Sequence, residues 1–331
     1  MRFDIVSDAR LNDALQWIHQ NGFSIERVEP ITGDASTRRY FRLFQADQPW
    51  VLMDMPDEPE AFAAFVAIAK ELHQHHLQVP AIIASSPEKG FALLSDLGND
   101  LLQNALSADN ADTLYRTAMD DLVRLDTIPS IPNHTLPPFG EKRYRDEMNL
   151  FIQWYLQTHL NYSPTEQESA LLSTLFDQLI ASANSQVQVC VHRDYHSRNL
   201  LRLPNNSVGI LDFQDAVIGP ITYDVMSLLR DCYIDWPESN IYTWLRYFYE
   251  KLLANYVLPS TVDFKTFERW FDWATLQRNL KCIGLFPRLK YRDHKLNYMQ
   301  YLPRIFNYAL YVTDKYPEWH DVKRFLEKVR P

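Results

Sequence analysis

Val191-His192-Arg193-Asp194-Tyr195-His196-Ser197-Arg198-Asn199-Leu200, followed by Ile210-Leu211-Asp212-Phe213-Gln214-Asp215, is the stretch on which the reading of this chain turns. Apolar, β-branched runs at 187–191, 200–203 and 208–211 bracket two polar turns, which predicts a strand, a tight turn and a hairpin. That geometry brings Asp194, Asn199 and Asp212 together although they are far apart in sequence. Three hard oxygen donors suit a divalent cation and a phosphate, and a carboxylate beside them suits a hydroxyl that must lose its proton. Taken singly, each has an ordinary structural use, capping a turn or ending a strand. The combination points to chemistry.

Outward from this island the chain has two textures. Upstream, short β-like runs at 23–28, 39–44, 50–55, 81–84 and 91–94 alternate with turns. One helix is expected at 58–75, where Phe62, Phe65, Val66, Ala69 and Leu72 recur at helical spacing and Pro59 fits the first turn. Downstream, helical periodicity dominates at 111–125, 141–158, 165–183, 223–233, 241–256, 264–283 and 303–314. A Pro-rich loop spans 129–138. The expectation is an N-terminal lobe at 1–97 built on a five-stranded sheet, and a helical lobe at 98–331 carrying the island.

Composition narrows the partners. The 331 residues have a formal net charge of −9, with 46% hydrophobic and 23% charged residues. Such a chain can build a core, and it lacks the basic excess that a nucleic-acid backbone demands. Residues 1–18 are interrupted by Asp4, Asp8, Arg10 and Asp13, unlike a secretory leader, and the apolar run at 61–69 is too short to span a bilayer. A cytoplasmic protein is expected, with no nucleic acid, membrane or obligate protein partner. Cys190, Cys232 and Cys282 are too sparse for a disulfide framework and read as buried thiols.

The spacing His192-x-Asp194-x4-Asn199, followed by Asp212-Phe213, resembles the catalytic loop and metal motif of the aminoglycoside phosphotransferase and kinase-like family. The resemblance implies an α+β bilobal protein-kinase-like fold with a small antiparallel sheet lobe and a larger helical lobe, using ATP and Mg2+. It implies Asp194 as base and Asn199 and Asp212 as metal ligands. Gln214 stands where protein kinases have glycine, which favours a small-molecule acceptor. The loop at 32–40 lies where the family covers phosphate, making Gly33, Ser36, Thr37, Arg38 and Arg39 nucleotide candidates. The strand at 50–55 lacks the family's lysine, and Arg38, Arg39 or Arg42 either supplies that charge or is ordinary surface charge. The segment 91–98 resembles the hinge, with Ser95, Asp96 and Leu97 beside adenine.

The wider pattern, including 33–42, Leu52-Met53-Asp54 and Arg278-Asn279-Leu280-Lys281, resembles the bacterial anomeric kinases of N-acetylmuramate and N-acetylglucosamine. That subgroup implies an amino-sugar substrate phosphorylated at the anomeric hydroxyl in peptidoglycan recycling. Candidate sugar contacts are Asp215, Tyr223, Asp224, Arg230, Asp231, Glu147 and Trp154. Asp224 also fits a helix cap and Trp154 a core position. The basic run 278–295 fits either a solvated face or attraction of an anionic substrate. A cationic acceptor, aminoglycoside or choline-like, remains an alternative, as does an inactive nucleotide-binding module.

Overall fold

The computed structural model describes residues 8–31 and 38–331. Helix α1 (Ala9–Gln20) starts where the Asp8 carboxylate accepts the Leu11 amide at 3.0 Å. Its buried residues Leu11, Ala14, Trp17 and Ile18 form one face. This helix was not foreseen, since one helix was expected in the first hundred residues. Strands β1 (Arg27–Ile31), β2 (Arg39–Gln45), β3 (Gln48–Asp54), β4 (Ile82–Ser86) and β5 (Phe91–Ser95) form an antiparallel sheet in the order β1-β2-β3-β5-β4. Helix α2 (Pro59–Gln74) follows β3 as expected.

The strands are two-faced because side chains alternate with period two. Phe41, Leu43, Leu52 and Leu93 pack beneath α1, while Met53, Ala92 and Leu94 join the core containing Phe62, Phe65 and Ile68 of α2. Phe65 stacks on Phe213, with centroids 5.1 Å apart, and Ile210 donates its amide to the Gln78 carbonyl at 2.7 Å. These contacts seat the sheet and α2 on the island.

The helical part comprises α3 (Leu102–Ala105), α4 (Ala111–Asp126), α5 (Glu141–Leu150), α6 (Glu166–Asn184), α7 (Tyr223–Leu229), α8 (Glu238–Ala254), α9 (Phe264–Asp293), α10 (Leu302–Lys315) and α11 (His320–Lys328). Four strands interrupt it. β6 (Gln188–Val191) pairs with β9 (Val217–Pro220), and β7 (Leu200–Arg202) with β8 (Val208–Ile210). Neither β9 nor α11 was expected, and α9 runs ten residues beyond the predicted end at 283, through Pro287. α5 passes into π-helical turns over Phe151–His159. There α9 approaches so closely that a Cβ on Gly284 would lie 2.0 Å from the Leu150 carbonyl carbon. Backbone contact at that point fixes α9, and with it Arg278 and Lys281, against α5.

Candidate active site

The eight residues 192–199 link β6 to β7 and are stitched to the chain leading into Asp212. His192 Nε2 lies 2.8 Å from the Leu211 carbonyl, and the Leu211 amide donates to the Asn199 carbonyl at 2.9 Å. Asn199 Nδ2 donates to the Asp194 carbonyl at 3.0 Å, which orients the amide with its oxygen as the remaining donor atom. Asp212 sits in the left-handed region at φ 62°, a conformation Asp tolerates better than most residues, and Gln214 hydrogen-bonds its carboxylate. The three predicted residues therefore share one locality. A carboxylate and an amide oxygen are hard donors that fit Mg2+, with phosphate oxygens and water filling the remaining positions.

Arg193 also has positive φ, at 79°, where an arginine is strained. Its neighbours hold it there. The Asp224 carboxylate accepts the His192 amide at 2.6 Å and the Arg193 amide at 2.9 Å, while Arg278 Nη1 donates to the Arg193 carbonyl at 3.2 Å. Burial pushes Asp224 up to about 6, opposed by the His192 charge and the two amide bonds. Asp231 accepts the Ser197 and Tyr233 amides, both at 2.9 Å. Both carboxylates, expected on the sugar, instead brace the loop, because α7 and the turn after it aim them at exposed amides.

Asp194 is 35% exposed and lies 3.7 Å from Arg278 Nη2. Partial burial raises its pKa, but the charges of Lys281, Arg278, His196 and Arg193 outweigh it and hold the carboxyl well below the usual range. Glu147 gathers these cations. Its carboxylate lies 3.0 Å from Lys281 Nζ and 3.5 Å from Arg193 Nη2, and accepts from Gln277 Nε2 at 3.2 Å. Of the basic run 278–295, Arg278 and Lys281 thus face inward, three residues apart on one face of α9. Arg193 was not singled out from sequence, where an arginine in a loop carries no distinguishing signal.

Other candidates fall elsewhere. Arg230 is buried in a two-pronged pair with Glu238, so its charge is spent within the protein. Tyr223 is fully buried, its hydroxyl without a protein partner. Asp215 is exposed and gives its carbonyl to Arg193 at 3.5 Å, and Trp154 is half-buried on the π-helical turns. Beside Glu147 a cleft of about 350 Å³ is lined by Asp146, Asn149, Leu150, Gln153 and Arg288. At the hinge, Ser95 Oγ accepts the Ala81 amide at 2.8 Å, and Asp96 takes the Arg42 guanidinium and the Gly98 amide at 2.7 Å, so both side chains shape the turn. Leu97 is half-buried beside Gly209. Arg39 turns to the outer face of the sheet, donating to Asp54 at 2.9 Å and pairing with Asp8, which removes it from the nucleotide side. Gly33, Ser36 and Thr37 lie outside the described residues.

A strand-turn-hairpin that sets a carboxylate beside two metal-fit oxygens, below a five-stranded sheet, defines a kinase-like phosphotransferase. The chain belongs to the phosphotransferase enzyme family, whose model matches residues 27–256. It is 36% identical over 323 residues to an N-acetylmuramate/N-acetylglucosamine kinase of Pseudomonas putida, covering 98% of this chain and 94% of that one. A protein of the same name from Pseudomonas aeruginosa is 39% identical over 90% of this chain and 87% of its own. Among solved structures, an ADP-bound aminoglycoside phosphotransferase superposes with a TM-score of 0.62 at 16% identity, over 90% of this chain and 96% of that one. A choline kinase from Streptococcus pneumoniae gives 0.63 at 10% identity, over 91% and 99%. Among the described residues, no helix is long and apolar enough to cross a membrane.

Proposed function

We propose that this enzyme transfers the γ-phosphate of ATP to the anomeric hydroxyl of N-acetylmuramate or N-acetylglucosamine, giving ADP and the sugar 1-phosphate, in cytoplasmic peptidoglycan recycling. Residues 1–97 form the nucleotide lobe in this reading and 98–331 the lobe that holds the acceptor. The names of relatives at 36% and 39% identity support the substrate.

The observation that carries the reading is the set of cations around Asp194. Arg193, Arg278 and Lys281 all act on its carboxylate. A cationic aminoglycoside or choline would be repelled there, whereas a neutral or anionic sugar is not. The cluster of Tyr233, Tyr298 and Tyr301, which could attract an acceptor cation, already surrounds Arg198, 3.7 Å from the Tyr233 centroid. Arg288 lines the cleft beside Glu147 with a buried Nε that lacks a protein partner, which suits the lactyl carboxylate of N-acetylmuramate.

Asp194 accepts the acceptor's proton as the new O–P bond forms and the bond to the leaving ADP breaks. A weakly basic carboxylate is adequate, because phosphoryl transfer is largely dissociative and the anomeric hydroxyl is the most acidic on the ring. Asn199 and Asp212 would hold Mg2+, which neutralises phosphate charge when bound. Asp224 and Asp231 keep the loop in place. Phosphorus NMR of a reaction containing the enzyme, MgATP and each amino sugar tests the reading. An anomeric phosphate doublet is expected; turnover of a cationic acceptor with none of either sugar would refute it.

A further inference from the structure

The row of side chains just before and along β2 divides by strand alternation. Arg39 and Phe41 face α1, where Arg39 meets Asp54 and Asp8. Arg38, Tyr40 and Arg42 share the opposite face. Arg42 is committed to the hinge through Asp96 and the Gly98 carbonyl, the latter at 3.2 Å. On that face β3 presents Pro49, Val51 and Met53, the partners of Phe44, Arg42 and Tyr40, and none of the three can carry charge. Arg38 acts electrostatically on the Tyr40 hydroxyl and reaches across to Asp212, its Nη1 3.9 Å from Oδ1. Its side chain is 14% exposed, against 50% for that of Asp212.

We propose that Arg38 is the phosphate-binding cation of this enzyme, paired with Asp212 until metal and nucleotide arrive and then transferred to a phosphate oxygen. The inference rests on the kinase reading above and adds the residue that replaces the missing strand lysine. The sequence left three arginines open; Arg39 faces away with Asp54 and Asp8, Arg42 is held at Asp96, and Arg38 is the one set against Asp212. When Asp212 turns to the cation, Arg38 loses its cross-lobe partner at the moment an anion of higher charge enters the same space. A guanidinium then gains two donors to phosphate in place of a 3.9 Å contact.

The test is titration of the non-hydrolysable analogue Mg·AMP-PNP into wild type, Arg38→Ala, Arg38→Gln and Arg38→Lys by calorimetry, with steady-state kinetics alongside. Losing a charge-assisted contact predicts roughly tenfold to hundredfold weaker binding in the Ala and Gln variants, partial recovery in Lys, and an unchanged KM for the sugar. Affinity within twofold of wild type in either Arg38→Ala or Arg38→Gln, whichever folds, overturns the proposal. Because the titration needs no acceptor, a wild type that binds the analogue but ignores both sugars sinks the substrate assignment and leaves the role of Arg38 decided by the same data.

Discussion

Lys281 Nζ lies 3.0 Å from Glu147 Oε1, joining α9 to α5 beside the loop that carries Asp194, the proposed base. Burial depresses the Lys281 pKa, yet Glu147, Tyr223 and Asp194 together raise it above the ordinary value, so the ammonium stays charged. Glu147 thereby sets the position of two cations, Lys281 and Arg193, that keep Asp194 ionised. Replacing it with Gln leaves both short of a counter-charge in a poorly hydrated place. Glu147→Gln is expected to lower kcat by roughly tenfold to hundredfold, with the KM for MgATP little changed. Steady-state kinetics with each substrate varied in turn read that split.

Asp194→Asn removes the proposed proton acceptor while keeping the shape of the side chain. A general base contributes roughly 10²–10⁴ in rate, so kcat should fall by that order. Binding of Mg·AMP-PNP should persist. Loss of binding together with activity would instead mean that the loop had collapsed.

The pH profile separates Asp194 from Asp224. Asp194 is held well below its ordinary range and stays ionised through mild acid, whereas Asp224 protonates near pH 6. Below that pH the loop amides of His192 and Arg193 lose a charged acceptor, so kcat should drop, and Asp224→Asn should flatten this limb at a lower plateau. Stability runs the other way. A carboxylate whose folded pKa exceeds its unfolded value makes the native state bind more protons between about pH 4 and pH 6, so its contribution to stability rises as pH falls through that window. Asp121, also pushed up to about 6 by burial, adds in the same direction. Urea melts across that window, with and without Asp224→Asn, measure the Asp224 share.

Asp54 is 1% exposed and takes Arg10 Nε at 2.7 Å and Arg39 Nε at 2.9 Å. Asp54→Ala takes a shared carboxylate from two part-exposed guanidiniums, of which Arg39 keeps Asp8 and Arg10 keeps the Lys89 carbonyl, and should cost about 1–3 kcal/mol. A lower denaturant midpoint is the readout.

Chelation by EDTA should abolish transfer. If Asp212 and Asn199 hold Mg2+ as proposed, Asp212→Asn should shift the Mg2+ concentration for half-maximal rate upward, because it removes the charged one of the two donors. A titration of rate against Mg2+ at fixed ATP gives both values.

Much of this site was legible because it is local. The turn and its hairpin are short strands bounded by polar residues; Asp194 and Asn199 share one loop, and the chain leading into Asp212 is hydrogen-bonded to it. The braces were not legible: Asp224 and Asp231 look like any acidic residues beside a helix, and nothing in their neighbourhood says that amides 31 to 34 residues upstream need an acceptor. Helix α1 was missed although Leu11, Ala14, Trp17 and Ile18 carry helical spacing.

The sequence by itself determined the alternation of short strands and long helices, and the motif that names the chemistry, since periodicity and turn composition act over a few residues. Only the tertiary structure decided which charges serve it. Arg38 and Arg39 are adjacent and chemically identical, yet strand pleating sends one toward Asp212 and the other to Asp54 and Asp8. Glu147, Lys281 and Arg193 become one network only when α5 and α9 close at Gly284. Electrostatic partnership depends on distance through space, and linear order does not encode that distance.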